Sequence, residues 1–230
     1  MKISVIVPVY NEEKIILNSL KKLNFFLSKH FEDYEIIAIN DGSTDNTLKI
    51  LKSLNFIKLL SHKKNQGKGF AVKKGILNSS GDFVIYTDAD LSYSPKDILR
   101  AFKLAKQKKA DCIFGKRINL KKDYPVLRRL ASFWFSFFAR IFLNLEIKDP
   151  QCGFKGFSKI AAKIIFSDLK TYGFAFDSEV AYAAKKHNFS TVEIPLRFSH
   201  NKKSSVNIFK NSFSMLFNIF LIRRFADEKI

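Results

Sequence analysis

Along the first half of the chain, apolar residues fall into short runs separated by longer segments of mixed character. Ile3 to Val9, Glu35 to Ile39, Phe56 to Leu60, Asp82 to Thr87 and Asp111 to Phe114 have the length and near-continuous hydrophobicity of buried strands. Between them, Glu12 to His30, Thr44 to Leu54, Gly69 to Asn78 and Pro95 to Lys108 read as helices. The alternation predicts an α/β fold, a parallel sheet covered by helices, with any ligand site beyond the carboxyl ends of the strands. Polar residues gather there: Asn11 and Glu12 after the first strand, Asn40 to Asp45 after the second, Asp88-Ala89-Asp90 after the fourth.

Past Lys116 the pattern changes. A basic segment leads into an aromatic helix from Arg128 to Leu145, a loop from Asp149 to Gly156, a mixed region to Arg197 and an apolar helix from Val206 to Arg223. In the first of these helices Ser132, Ser136, Arg140 and Asn144 recur every four residues beside a wide face that includes Phe133, Trp134, Phe137, Ile141 and Phe142. The last helix repeats the design, with Asn207, Asn211, Ser214 and Asn218 against Phe209, Phe213 and Phe217. Such periodicity fits a helix lying in a bilayer interface and equally a core or dimer helix. No run approaches the roughly 18 apolar residues of a spanning helix, and the first strand is too short for a signal peptide. With no internal repeat or low-complexity linker, the second half is expected to pack on the first.

Composition adds one constraint. Among 230 residues, 40 Lys and Arg face 21 Asp and Glu, and the resulting net charge of +19 favours polyanions: nucleic acid, anionic lipid or phosphorylated substrates. A solvated basic surface is the blander alternative. The two cysteines, Cys112 and Cys152, follow no metal-ligand spacing and make no disulfide framework, so a reducing compartment is expected. His30, His62 and His187 also lack metal spacing and read as surface residues.

Asp88 and Asp90, leaving a strand one residue apart, make a hard oxygen site for Mg²⁺ or Mn²⁺ if the chain turns there; a turn or cap leading to Ser94-Pro95 is the other reading. The loop Asn40 to Asp45 suits a helix cap or a nucleotide contact. Gly67-Lys68-Gly69 fits neither a P-loop nor a dinucleotide fingerprint, since Lys68 lacks a following Ser or Thr and Val72 stands where a third glycine is needed.

Taken in order, Ser4 to Glu13, Asn40 to Asp45, Asn65-Gln66-Gly67-Lys68-Gly69 and Asp88-Ala89-Asp90 resemble the inverting family 2 glycosyltransferases, whose GT-A fold is a Rossmann-like, mostly parallel sheet flanked by helices. Gly115-Lys116-Arg117, Arg128-Arg129, Asp149 to Lys155, Phe174 to Glu179 and Ile194 to Arg197 narrow the resemblance to the polyprenyl-phosphate branch, dolichyl-phosphate glucose and mannose synthases. The Gln151 to Lys155 run and Gly67-Lys68-Gly69 look more like the glucosyl members.

The resemblance implies a catalytic region over 1–205, a nucleotide-sugar half at 1–115 and an acceptor half at 116–205, followed by an amphipathic interface helix at 206–230. It implies donor binding by Pro8, Tyr10, Asn11, Glu12, Asp41, Ser43, Lys68, Asp88, Ala89 and Asp90, and a divalent cation, Mg²⁺ or Mn²⁺, on Asp88 and Asp90. Ser92 stands where related synthases can place a further metal ligand. Acceptor phosphate would meet Arg117, Arg129, Ser132, Arg197 and Lys202, with His200 nearby, and Asp88, Asp90 and Arg117 would carry the chemistry. The implied reaction moves a hexose from UDP-glucose or GDP-mannose to a polyprenyl or dolichyl phosphate, at the cytoplasmic face of a membrane whose anionic surface holds the protein peripherally. A family 2 transferase with a saccharide acceptor is the alternative. A basic nucleic-acid-binding protein is a remote one, because the Phe residues lie in apolar blocks apart from the basic clusters, so no nucleic-acid partner is expected.

Overall fold

The computed structural model describes residues 1–118, 137–173, 175–199, 220, 222 and 223. Arg129, Ser132, His200, Lys202 and most of the two expected amphipathic helices lie outside the described residues. Strand β1 (Ile3–Val9), helix α1 (Ile16–His30), β2 (Tyr34–Asp41), α2 (Thr47–Lys52), β3 (Lys58–His62), α3 (Lys68–Leu77), β4 (Phe83–Tyr86), α4 (Pro95–Lys108) and β5 (Cys112–Arg117) follow in the expected order. Beyond them come β6 (Lys155–Ser158), α5 (Lys159–Ser167), α6 (Phe176–Lys186) and β7 (Thr191–Leu196).

Among the described residues the seven strands form one sheet in the order β3-β2-β1-β4-β6-β5-β7. β1 pairs in parallel with β2 and β4, and β5 with β7; only β6 runs antiparallel to its neighbours. The strand alternation divides the core between the two faces. Val5, Val7, Ile36 and Ala38 pack with Leu20 of α1 and Ile98 of α4, while Ile6, Ile37 and Ile39 pack with Val72 of α3 and the helices that follow β6. Two covered faces require apolar side chains at successive positions, which is why β1 and β2 read as continuous runs.

Several boundaries differ from expectation. α1 and α2 start later than Glu12 and Thr44, which lie in the cross-linked loops: Glu12 N–H donates to Thr47 Oγ1 at 2.8 Å and Thr44 N–H to Asn11 Oδ1 at 2.8 Å. The expected loop Asp149 to Gly156 instead runs into β6, whose fully buried Lys155 hides the apolar signature of a strand. The mixed region resolves into α5, α6 and β7; β7 carries Pro195, tolerated because it lies at the sheet edge. Ser94, not Asp90, caps α4: its hydroxyl accepts from the Lys96 amide, and its own amide donates to Asp97 Oδ2.

In the described part of the aromatic segment, residues 137–142 are helical; Ala139 and Leu143 are buried whereas Phe137, Ile141 and Phe142 are exposed. Among the described residues no helix is long and apolar enough to cross a membrane.

α3 approaches the sheet at Gly75, where a Cβ would lie 2.4 Å from Ile6 Cγ2 and 2.6 Å from Ile39 Cδ1. An exposed helical glycine gains about 1 kcal/mol on replacement by alanine. Here overpacking reverses the sign, and Gly75→Ala is expected to lower stability by about 1–3 kcal/mol, read from the urea midpoint at unchanged m-value.

Candidate active site

The loops after β1 and β2 are tied side to side. Asn11, at φ 54°, donates its amide to Ser43 Oγ at 3.0 Å, and Glu13 Oε2 accepts the Asn46 amide at 3.0 Å. Asp45 takes the Glu13 amide at 3.2 Å through one oxygen and the Thr47 amide at 2.9 Å through the other. Asn11, Glu12 and Ser43 of the expected donor set therefore share one interlocked shelf, which continues from Pro8 and the exposed Tyr10 at the end of β1.

Asp41 ends β2 almost fully buried. Its Oδ1 accepts the Gln66 amide at 3.0 Å and its Oδ2 the Gly67 amide at 2.9 Å, while His62 Nδ1 lies 3.1 Å from Oδ1. This carboxylate fastens the turn that delivers Lys68. His62 is consequently not a surface residue as its sequence setting implied: the parallel register of β2 and β3 sets it opposite Asp41, and its side chain is only 7% exposed. Gly67 takes φ 96° with its Cα against the Tyr172 carbonyl, where a Cβ would come within 2.6 Å, so the turn needs glycine.

Asp88 and Asp90 leave β4 in the tight turn anticipated for a carboxylate pair, with the Leu91 amide donating to Asp88 C=O at 3.2 Å and Leu91 held at φ 50°. Ala89 between them is buried. Ser92 fixes Asp90 through its amide at 2.9 Å and its hydroxyl at 2.5 Å, so serine at this position orients the carboxylate. Lys68 Nζ lies 2.5 Å from Asp88 Oδ1. Burial alone lowers the Lys68 pKa, but Asp88 and then Asp177 outweigh it, and the net shift is upward, keeping the ammonium charged.

The Asp88/Asp90 pair suits a hard divalent cation: both ligands are carboxylates, and Lys68 shows that Asp88 draws positive charge to itself. Among the described residues no group of three or more His, Cys, Asp or Glu side chains is assembled to hold a metal. A cation here would complete its shell with oxygens of substrate or water, as Mg²⁺ sites on one or two carboxylates do.

Arg117, at the end of β5, is nearly buried and grips Asp149 with Nε and Nη2, both at 2.7 Å. Burial opposes its charge, but the Asp149 hydrogen bonds and charge dominate and raise its pKa. Arg197 follows Leu196, the β7 partner of Arg117, which places it at the same sheet edge. Both thiols are buried, and their surroundings disfavour the thiolate: burial first, then Asp149, pushes Cys152 up to about 12, and burial raises Cys112 as well.

Two contributors escaped the sequence reading. Tyr93 accepts from Cys152 Sγ and from the Gly153 amide, each at 3.3 Å, and Gly153 itself lies against Asp88, where a Cβ would meet Oδ2 at 2.4 Å. The Gln151 to Lys155 run was visible as a motif, but not as the wall of the carboxylate site.

Glu12 faces this site half-buried, and its pKa is raised by burial first, then by Asp90, Asp45 and Asp88. A carboxyl with a raised folded pKa favours the native state while protonated, and that advantage is lost as pH climbs from the unfolded value of 4.5 through the folded one. Glu12→Gln is therefore expected to raise the melting temperature at pH 7 in the absence of divalent cations, with the difference shrinking to nothing below about pH 4, as a pH series of thermal melts will show.

Residues 4–166 match the family described as Glycosyl transferase family 2. A Dictyostelium discoideum protein named dolichyl-phosphate beta-glucosyltransferase is 36% identical over 240 residues, covering 96% of this chain and 73% of its own. A Methanococcus voltae protein named UDP-N-acetylglucosamine–dolichyl-phosphate N-acetylglucosaminyltransferase is 28% identical, over 88% of this chain and 87% of its own. Among solved structures, Mycobacterium tuberculosis glucosyl-3-phosphoglycerate synthase in complex with Mn²⁺, UDP and glucosyl-3-phosphoglycerate aligns with a TM-score of 0.71 at 17% identity, over 96% of this chain and 79% of that one. That likeness bears on the fold, whose sheet and flanking helices are of the GT-A type. With most of its length matched, the chain belongs to glycosyltransferase family 2.

Proposed function

We propose that the protein transfers a hexose, with inversion, from a nucleotide sugar to a polyprenyl phosphate at a membrane surface. UDP-glucose is the first donor to test and GDP-mannose the second. The observation that carries this reading is the meeting of Asp88, Asp90 and Lys68 at the edge where the β1 and β2 loops form a shelf. The Dictyostelium relative's name supports the lipid phosphate acceptor and the glucosyl donor. The Methanococcus relative keeps that acceptor class but brings UDP-N-acetylglucosamine into the donor panel.

In this reading the shelf from Pro8 to Ser43 holds the nucleoside, and Lys68 turns from Asp88 toward the diphosphate as the donor arrives. Asp88 and Asp90 would hold a divalent cation, which would supply charge neutralisation for the departing nucleoside diphosphate. A phosphate monoester, with a second pKa near ~6, is already an anion at neutral pH and needs positioning more than a base. Arg129, Ser132, Arg197 and Lys202 do that positioning, and Arg117 joins them with the edge of its guanidinium that Asp149 leaves unused. The membrane side is supported by Phe137, Ile141 and Phe142, exposed while Ala139 and Leu143 face the core, with Arg223 donating to the Phe142 carbonyl at 3.2 Å.

Purified protein given labelled UDP-glucose, GDP-mannose or UDP-N-acetylglucosamine, a polyprenyl phosphate and Mg²⁺ or Mn²⁺ is expected to produce organic-extractable label with one of the three donors, lost on adding EDTA. Asp90→Ala should lower the rate by on the order of 100-fold or more with an unchanged circular dichroism spectrum. Label appearing only on a water-soluble saccharide would instead identify the alternative acceptor. Flotation with vesicles containing anionic lipid tests the surface: Ile141→Glu with Phe142→Glu should weaken association by about tenfold or more, and unchanged flotation would remove this segment from the interface.

A further inference from the structure

Beneath the carboxylate pair lies a second set of charges. Lys155 on β6 is the register partner of Tyr86 on β4, and both side chains are fully buried. The Lys155 ammonium pairs with Asp177 at the start of α6, and the Tyr86 hydroxyl donates to the same Asp177 oxygen at 2.5 Å. Lys155 Nζ also lies 5.4 Å from the centre of the Tyr86 ring and 5.8 Å from that of Phe114, and it donates to the Cys152 carbonyl at 2.7 Å. Burying a cation and a carboxylate is costly, and an apolar pair of similar volume is often at least as stable. Stability is therefore a weak reason for these residues to be ionised.

Their connections supply a better one. Two residues beyond Tyr86 stands Asp88, and two residues before Lys155 stands Gly153, whose Cα faces the Asp88 carboxylate so closely that a Cβ would meet Oδ2 at 2.4 Å. By holding the Cys152 carbonyl, Lys155 fixes the peptide that leads into Gly153, while Tyr93 holds the Gly153 amide from the other side. Asp177 belongs to the Phe174 to Glu179 run. Here its Oδ1 is shared by an ammonium and a phenol and the residue is 6% exposed, so it serves as a counter-ion.

We propose that Lys155, Asp177 and Tyr86 form a buried positioning unit that presses the 152–153 peptide against Asp88 and so sets the carboxylate for the cation of the donor complex. The inference rests on the donor-site reading of Asp88 and Asp90. Loss of groups that orient a metal ligand typically weakens metal binding by about 10–100-fold, and that is the expected size of the effect.

The decisive variant is Lys155→Met with Asp177→Leu, which removes both charges together and leaves no unpaired ion in the core. Titration calorimetry of Mn²⁺ in the presence of saturating UDP, with the melting temperature recorded alongside, gives the readout. The expected result is Mn²⁺ affinity lowered by about 10–100-fold at a melting temperature close to that of the unmodified protein. Unmodified affinity in this variant would overturn the proposal and reduce the triad to core structure. Absence of Mn²⁺–UDP binding by the unmodified protein would overturn it differently, by removing the donor-site reading beneath it. If the double variant does not fold, Tyr86→Phe decides: it keeps both charges and removes only the hydroxyl on Asp177. Weaker Mn²⁺ binding at unchanged melting temperature then supports the unit, and unchanged binding overturns it.

Discussion

A sheet covered on both faces leaves its strand ends as the place where polar side chains reach water without unpacking the core. In this chain β1 sits between β2 and β4, with all three running the same way, so their carboxyl ends deliver the segments from Tyr10, Asp41 and Asp88 to one edge. β6 reverses direction and brings its opposite end there, which is how Gly153 and Lys155 arrive under the Asp88 carboxylate. The chemistry is thus positioned first by the direction of strands and only then by individual contacts.

Those contacts differ in weight. Each bond of the loop shelf is partly exposed and worth about 1 kcal/mol net, so the shelf is rigid because its bonds are numerous and reciprocal. The Arg117–Asp149 pair is nearly buried, and removing one member of such a pair costs about 3–5 kcal/mol because the other is left charged and dry. Lys68–Asp88 lies between these cases, being a third exposed, so its rearrangement would cost less than that of the Arg117 pair. Beside the Asp88 carboxylate the buried pairs Arg117–Asp149 and Lys155–Asp177 are thus firmer than the partly exposed Lys68–Asp88 pair.

β1, β2, β4 and β5 were legible because burial writes itself as uninterrupted apolar runs, whereas the partly exposed β3 begins at Lys58, two residues later than its apolar run; the polar segments after β1, β2 and β4 were legible because they follow those strands. β6 was not, since its four residues include a buried lysine and a glycine that no hydrophobic pattern flags. β7 was hidden by Glu193 and Pro195, acceptable only at a sheet edge. The burial of His62 leaves no local signal, because its partner is set by register across two strands, a relation that spacing along the chain does not carry. For the same reason Gly153 could be quoted as part of a motif while its pressure on Asp88, distant in sequence, stayed invisible.

The Ser199 amide donates to the Ser92 carbonyl at 2.9 Å. Ser92 is also the residue that fixes Asp90 through amide and hydroxyl. One peptide unit after β7 is thus fastened directly to the turn that carries the carboxylates, with no core side chain between them. The position of the backbone at residue 199 and the set of the Asp88–Asp90 turn are therefore coupled through a single peptide hydrogen bond, so that neither can shift without straining the other.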